Sequence, residues 1–167
     1  DTDLAVCVVS ADKDLMQLVG GGVEMLDAMK NRRIDVDGVE EKFGVRPERV
    51  VDVQALAGDS VDNVPGAPGI GVKTAALLIN EFGDLETLLD RADEIKQPKR
   101  RQTLIDKREQ IELSKRLVLL DTNTPLEFTL DDLEIRDAEP EILLGFLAEM
   151  EFRTLTKRIA DMFEVEA

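Results

Sequence analysis

The 167-residue chain has a formal charge of −15, from 36 acidic and 21 basic side chains, with 43 % apolar and 34 % charged residues. This excludes a uniformly basic nucleic-acid binder, leaves only local basic patches, and gives enough apolar material for one core with at most a small further lobe. With no histidine and one cysteine, His-based zinc sites, Ser-His-Asp or Cys-His nucleophiles and an internal disulfide are excluded; a reducing cytoplasm fits, and any metal must sit among oxygen ligands.

Leu4 to Val9 (LAVCVV) predicts a short strand buried on both faces, as in a parallel sheet, with Cys7 inert in the core. A short helix follows with Leu15, Leu18 and Val19 inward, ended by Gly20-Gly21-Gly22. Val23 to Leu26 predicts a second strand, and Arg33 to Val36 a hairpin partner for it. Val36 to Phe43 predicts a helix closed by Gly44; Pro47 opens another that runs over Arg49 to Ala57. Strand signals then nearly vanish. Gly58 to Gly71 is a loop with two prolines and four glycines, followed by helices over Val72 to Phe82, stopped by Gly83, and over Leu85 to Ala92, capped by Asp84. Lys99 to Leu120 predicts a long helical stretch broken near Ile111 to Ser114, with Glu112 and Arg116 as an i,i+4 pair. Thr122 to Thr129 reads as extended or loop, and helices over Pro140 to Met150 and Thr154 to Phe163 close the chain. No apolar run approaches a membrane span, there is no signal peptide, and the lack of Trp and Tyr removes an aromatic platform for single strands. Asp1 in place of an initiator methionine predicts a fragment of a longer protein.

Four constellations carry chemistry. Asp12 and Asp14 follow the first strand at its carboxyl end, where open parallel sheets bind ligands, and their spacing of two lets both carboxylates face one site. Taken alone, the pair reads more simply as a cap (Asp12) and a dipole partner (Asp14) of the next helix. Asp59 and Asp62 are three apart, one helical turn, and two close carboxylates are relieved by a divalent cation; a solvated Asx turn is the alternative. Gly66, Gly69, Ile70, Gly71, Lys73 and Thr74 lie in Pro-Gly-Ala-Pro-Gly-Ile-Gly-Val-Lys-Thr. Its glycines allow close approach, and free N–H groups at 71 to 74 start a helix, which suits a phosphate; a tight interhelical turn is the alternative. It is neither a P-loop nor a dinucleotide fingerprint. Lys96 to Arg116 holds eight Lys or Arg against three acids, and its cluster Lys99-Arg100-Arg101 reads as a phosphate-backbone contact.

Ser-Ala-Asp-Lys-Asp-Leu (10–15), Leu-Ala-Gly-Asp-Ser-Val-Asp-Asn-Val-Pro-Gly (56–66) and Pro-Gly-Ile-Gly-Val-Lys-Thr-Ala (68–75) together resemble the 5′ nuclease domain of bacterial DNA polymerase I, in a family with phage 5′ nucleases and flap endonucleases. The similarity continues through Leu113-Ser114 to Glu151-Phe152-Arg153-Thr154-Leu155 and spans nearly the whole chain. The resemblance implies an α/β fold: part of a Rossmann-like sheet (1–57), a helix–hairpin–helix lobe with a basic helix (58–120), and carboxyl-terminal helices returning to the core (121–167). It implies that Asp12, Asp14, Asp59 and Asp62 are catalytic carboxylates holding two magnesium ions, with manganese as a substitute. It further implies that the hairpin grips duplex DNA, with potassium near Gly66, Ala67 and Ile70, and that Lys99, Arg100 and Arg101 continue the phosphate track. Selectivity would be for shape (a 5′ end, flap or nick) rather than for bases. The family's amino-terminal half, with further ligands and the helical arch, has no counterpart here, so the chain alone is expected to be inactive and to expose a sticky sheet edge. In the parent, a polymerase domain would be joined to it, in the bacterial cytoplasm at the nucleoid. The competing readings are a non-catalytic duplex-binding module and a free-standing 5′ nuclease.

Overall fold

The computed structural model describes residues 4–165; positions 1–3 of the expected core and 166–167 of the expected last portion lie outside them. The fold is mixed α/β, a small sheet followed by helices, and it divides into two compact units between Thr122 and Asn123.

In the first unit, β1 (Val6–Val9) pairs parallel with β2 (Val23–Asp27), Val6 opposite Val23, and β2 pairs antiparallel with β3 (Arg32–Ile34), Met25 opposite Ile34. The sheet order β1-β2-β3 leaves β1 at an edge. The strand forms where the apolar run predicts it, but its burial does not follow. Leu4 is 54 % exposed and Val9 64 %, and Cys7 is an exposed thiol rather than an inert core group. A parallel strand is covered only when elements lie over both of its faces, and of the β1 residues Val8 alone packs, half-buried, against the core. The expected exposed sheet edge is thus present.

A 3-10 turn (Asp14–Leu18) leads from β1 towards β2, and Met16 anchors it in the core. Helix α1 (Val36–Phe43) starts where the Asp35 side chain accepts the Gly38 N–H at 3.0 Å and stops at Gly44, whose φ of 73° few other residues adopt. After a 3-10 turn at Pro47–Arg49 comes α2 (Val50–Ala57), buried at every position from Val50 to Leu56 and packed against α3 (Val72–Phe82) and α6 (Arg108–Val118). A helix apolar nearly all round belongs at the centre of a core, and α2 occupies it. Between α3 and α6 lie α4 (Leu85–Asp90) and α5 (Pro98–Asp106).

The long basic stretch breaks at Lys107, between α5 and α6, and not at Ile111 to Ser114. Ile111 and Ser114 are fully buried on the inward face of α6; the turn at Lys107 lets Leu104 and Ile111 reach the same core cluster. Glu112 pairs with Arg108 at 2.9 Å, not with Arg116, because Arg108 lies one turn before it and also reaches Asp90 at 2.7 Å.

In the second unit, α7 (Pro140–Glu149) and α8 (Arg153–Phe163) pack on each other, with Leu147 and Ala160 buried. A 3-10 turn at Leu130–Leu133 is held by a reciprocal cap between Thr129 and Asp132.

Local electrostatics make the first unit acid-sensitive. The Thr87 N–H bound at 2.8 Å holds the Asp84 carboxyl below its usual range, and the Lys115 ammonium bound to Glu86 does the same there. A carboxyl lowered on folding contributes stability that is present above its ordinary pKa and is lost as pH falls through the lowered folded value. Urea midpoints should therefore be level near neutrality and fall steadily below a pH of about 4. Asp84→Asn, which can still cap, should make that fall shallower; an unchanged slope would contradict the assignment.

Candidate functional site

Asp14, Asp59 and Asp62 come from segments more than forty residues apart in sequence yet bring one oxygen each within 4.8 Å of the others. The 3-10 turn after β1 presents Asp14, and the loop after α2 presents the other two. That loop closes on itself: Asp59 N–H donates to Val64 O at 2.8 Å and Val64 N–H donates back at 2.7 Å. Asn63 takes the left-handed conformation that the turn needs, with φ of 56°.

Two glycines lock this loop to the end of α2. A Cβ on Gly66 would lie 2.4 Å from Gly58 N, and one on Gly58 would lie 2.7 Å from Val64 O. Gly66 also donates its N–H to Ser114 Oγ at 3.1 Å and accepts from Gln110 Nε2 at 2.6 Å, which ties the loop to α6. The polar groups of Gly66 are thus engaged within the protein.

The three carboxylates sit in different environments. Asp59 is buried; the Lys13 ammonium ion-paired with it, against the opposing effect of burial, holds its carboxyl below the usual range, and the Val61 N–H at 2.9 Å adds to this. Asp62 is at the surface, and loss of solvation together with the Asp59 and Asp14 charges pushes its carboxyl up. Asp14 accepts from the buried Gln54 Nε2 of α2, while the oxygen of that amide, Oε1, is buried without a hydrogen-bond partner. Asp12 is outside the three-carboxylate group. Its Oδ1 accepts the Asp14 N–H at 3.0 Å, so it shapes the turn that aims Asp14.

The hairpin residues Pro68, Gly69 and Ile70 line one hollow of about 230 Å³ together with Lys99, Arg100 and Thr103. Hairpin and basic helix, read separately in the sequence, meet there. Arg101 turns aside and donates to Ile95 O at 3.3 Å. Lys73 is exposed and Thr74 half-buried on the first turn of α3, which has no side-chain cap. The Thr74 N–H is already spent on Gly71 O at 2.9 Å, so the free donors expected at 71 to 74 do not include it. Of the basic residues after Lys96, Lys115 is neutralised internally by Asp52 at 2.8 Å and Glu86 at 2.7 Å, and Arg108 by Asp90 and Glu112.

Sequence reasoning missed Lys13, Gln54, Gln110 and Ser114. Gln54 had a visible signal, a lone amide in the apolar run Val50 to Ala57; Gln110 and Ser114 had none, because their partners are more than forty residues away.

Three comparisons bear on this site. The family model described as 5′-3′ exonuclease, C-terminal SAM fold matches residues 45–141. DNA polymerase I of Rhizobium leguminosarum is 52 % identical over 166 residues, covering 99 % of this chain and 16 % of that protein. The 5′-3′ exonuclease of Aquifex aeolicus is 36 % identical over 158 residues, covering 95 % of this chain and 53 % of that protein. The chain thus spans from about a sixth to about half of these relatives. Among solved structures, phage T5 5′-exonuclease with bound zinc superposes with a TM-score of 0.64 at 27 % identity, covering 68 % of this chain and 42 % of that one. A phage T5 flap endonuclease in a pseudo-enzyme–product complex with DNA and metal ions gives 0.63 at 26 %, with the same coverage of 68 % and 42 %. With the family model matched over more than half of the chain, and with the three carboxylates and the basic hairpin hollow both present in its first unit, the chain belongs to the 5′-3′ exonuclease family, in its carboxyl-terminal SAM-fold region.

Proposed function

We propose that this chain is the carboxyl-terminal part of the 5′→3′ exonuclease and flap endonuclease domain of a DNA polymerase I, serving metal-dependent phosphodiester hydrolysis at 5′ ends, flaps and nicks in replication and repair. The observation that carries the proposal is the convergence of Asp14, Asp59 and Asp62, with oxygens within 4.8 Å, in the unit that also holds the Lys99–Arg100 hollow. A binder of phosphate gains nothing from clustered carboxylates, because they repel the ligand.

The donor set fits a hard divalent cation: three carboxylates, one of them pushed up by lost solvation and by the charges of the other two. Asp14, Asp59 and Asp62 would hold magnesium or manganese, with Asp12 shaping the first of them. Bound there, the ion supplies an activated water and charge stabilisation at the phosphate. The chain's own residues do the rest. Gln54 and the Val61 N–H orient carboxylate oxygens before substrate arrives, and Lys99 and Arg100 bind the duplex backbone through its phosphates without reading bases. A potassium ion at the hairpin would lie near Gly66, Ala67 and Ile70, sharing the Gly66 oxygen with its Gln110 donor and the Ala67 oxygen with the Ile70 N–H. The work divides as 1–57 for the core that carries the first carboxylate, 58–120 for the DNA grip and 121–167 for the closing helices. The missing amino-terminal half and a polymerase domain would be its partners in the parent chain, in the cytoplasm.

The test uses a labelled 5′-flap duplex with magnesium. The chain alone should bind with a salt-sensitive affinity and cut little or nothing. Lys99→Ala with Arg100→Ala should weaken binding equally across sequences and reduce the slope of log affinity against log salt by about 2. Cutting by this chain that stops in EDTA would show the site to be complete without the missing half. An unchanged salt slope would remove the hollow from the interface. A second reading, a duplex-binding module without chemistry, is favoured only by the hairpin hollow. It predicts binding that neither needs nor responds to divalent metal.

A further inference from the structure

We propose that Lys13 is a built-in counter-ion of the acidic group: its ammonium holds Asp59 in the metal-free chain, and a divalent cation has to displace it to bind. The proposal rests on the reading of Asp14, Asp59 and Asp62 as metal ligands.

The Asp59 side chain is only 3 % exposed, and the oxygens of Asp14 and Asp62 lie within 4.8 Å. A buried carboxylate beside two others is costly unless a cation offsets the repulsion. The cation present is the Lys13 ammonium, ion-paired with Asp59 Oδ2. The other anchors in the group are neutral donors that fix orientation: Gln54 Nε2 on Asp14 Oδ1, and the Val61 N–H on Asp59 Oδ1 at 2.9 Å. Those hydrogen bonds can persist beside a metal. The ammonium cannot share Asp59 Oδ2 with a second cation, because the two would repel at contact distance.

Local structure makes the displacement feasible. Lys13 lies between Asp12 and Asp14 in a helical conformation (φ −69°, ψ −23°) that opens the 3-10 turn. The backbone therefore stays in place while the four-carbon stem swings. The side chain is 35 % exposed, so the released ammonium regains water without unfolding anything. It lies at a hollow of about 290 Å³ lined also by Gln54, Asp59 and Lys42, so the stem has open space beside the carboxylate to swing into. A lysine suits this role better than an arginine, whose fork would bind the carboxylate at two points.

The experiment compares the chain with Lys13→Gln, Asp59→Asn and their combination, by thermal melts in EDTA and by manganese titration read from the electron paramagnetic resonance of free Mn2+. In EDTA, Lys13→Gln should lower Tm by roughly 3–6 °C, and the loss should vanish in the Asp59→Asn background. Manganese should bind Lys13→Gln on the order of tenfold more tightly than the parent chain and raise its Tm by more. If Lys13→Gln does not fold in EDTA, folding restored by manganese or by Asp59→Asn gives the same support, and rescue by neither overturns the proposal. Equal or weaker manganese binding in Lys13→Gln, with parent binding that is lost in Asp59→Asn, overturns the counter-ion role alone. No saturable manganese binding by any of the chains overturns the metal-ligand reading and the proposal with it.

Discussion

Replacing Asp59 and Asp62 together by Asn in the intact nuclease domain is expected to lower flap cleavage by on the order of a thousandfold or more, with little change in duplex affinity at fixed salt. Asn keeps the shape of each side chain and removes its charge. Two of the three oxygens that converge within 4.8 Å then no longer carry the charge that holds a divalent ion. The proposed DNA grip, the hollow of Pro68, Gly69, Ile70, Lys99 and Arg100, shares no residue with this group, so binding should survive. The buried Asp59 loses its ion pair with Lys13 in this variant, and that loss is softened because the carboxylate is removed rather than left unpaired. The check is single-turnover cleavage beside equilibrium binding on the same flap. Cleavage within tenfold of the parent would remove these carboxylates from the chemistry. Equal losses of cleavage and binding would instead assign them to substrate holding.

Gly66→Ala is expected to be the most damaging small substitution in the hairpin region, lowering Tm by on the order of 10 °C. Two costs add. Gly66 has φ of 58°, where an L side chain is strained, and the new Cβ would sit 2.4 Å from Gly58 N and 2.6 Å from Gly58 Cα. The neighbour is backbone, so it cannot rotate away. The loop would have to part from the end of α2, breaking the hydrogen bond from Ala67 N to Leu56 O at 2.7 Å and the tie from Gly66 to Ser114 at 3.1 Å. Gly69→Ala provides the contrast. Its φ is 80°, yet no heavy atom lies within 4 Å of the built Cβ, so only the conformational strain remains and Tm should fall by roughly 2–4 °C. Similar losses in the two variants would show that close packing at Gly58 is not what constrains the loop. Because the same loop carries Asp59 and Asp62, Gly66→Ala should also weaken manganese binding, whereas Gly69→Ala should not.

The amino-acid sequence determined what depends on neighbours along the chain. The helix over Val36 to Phe43 begins and ends where Asp35 and Gly44 demand, and Gly83 ends α3 through its positive φ while the Asp84 side chain caps α4, because caps act over three or four residues. The valine-rich run after Leu4 formed its strand, since extended propensity is local. The family, too, was legible, through three ordered motifs. Only the tertiary structure decided what depends on distant neighbours. Whether β1 was covered could not be read from its own residues, so Cys7 and Val9 came out exposed. The break in the basic stretch fell at Lys107 because Leu104 and Ile111 both had to reach one core. Lys115 looked like part of a phosphate track and is instead held by Asp52 and Glu86. In the acidic site, the types and spacing of the aspartates were readable. That Asp12 would accept the Asp14 N–H, that Gln54 would hold Asp14, and that Lys13 would seat itself on Asp59 were not. Each of those outcomes requires two segments forty or more residues apart to meet, or a choice between two local partners that only burial settles.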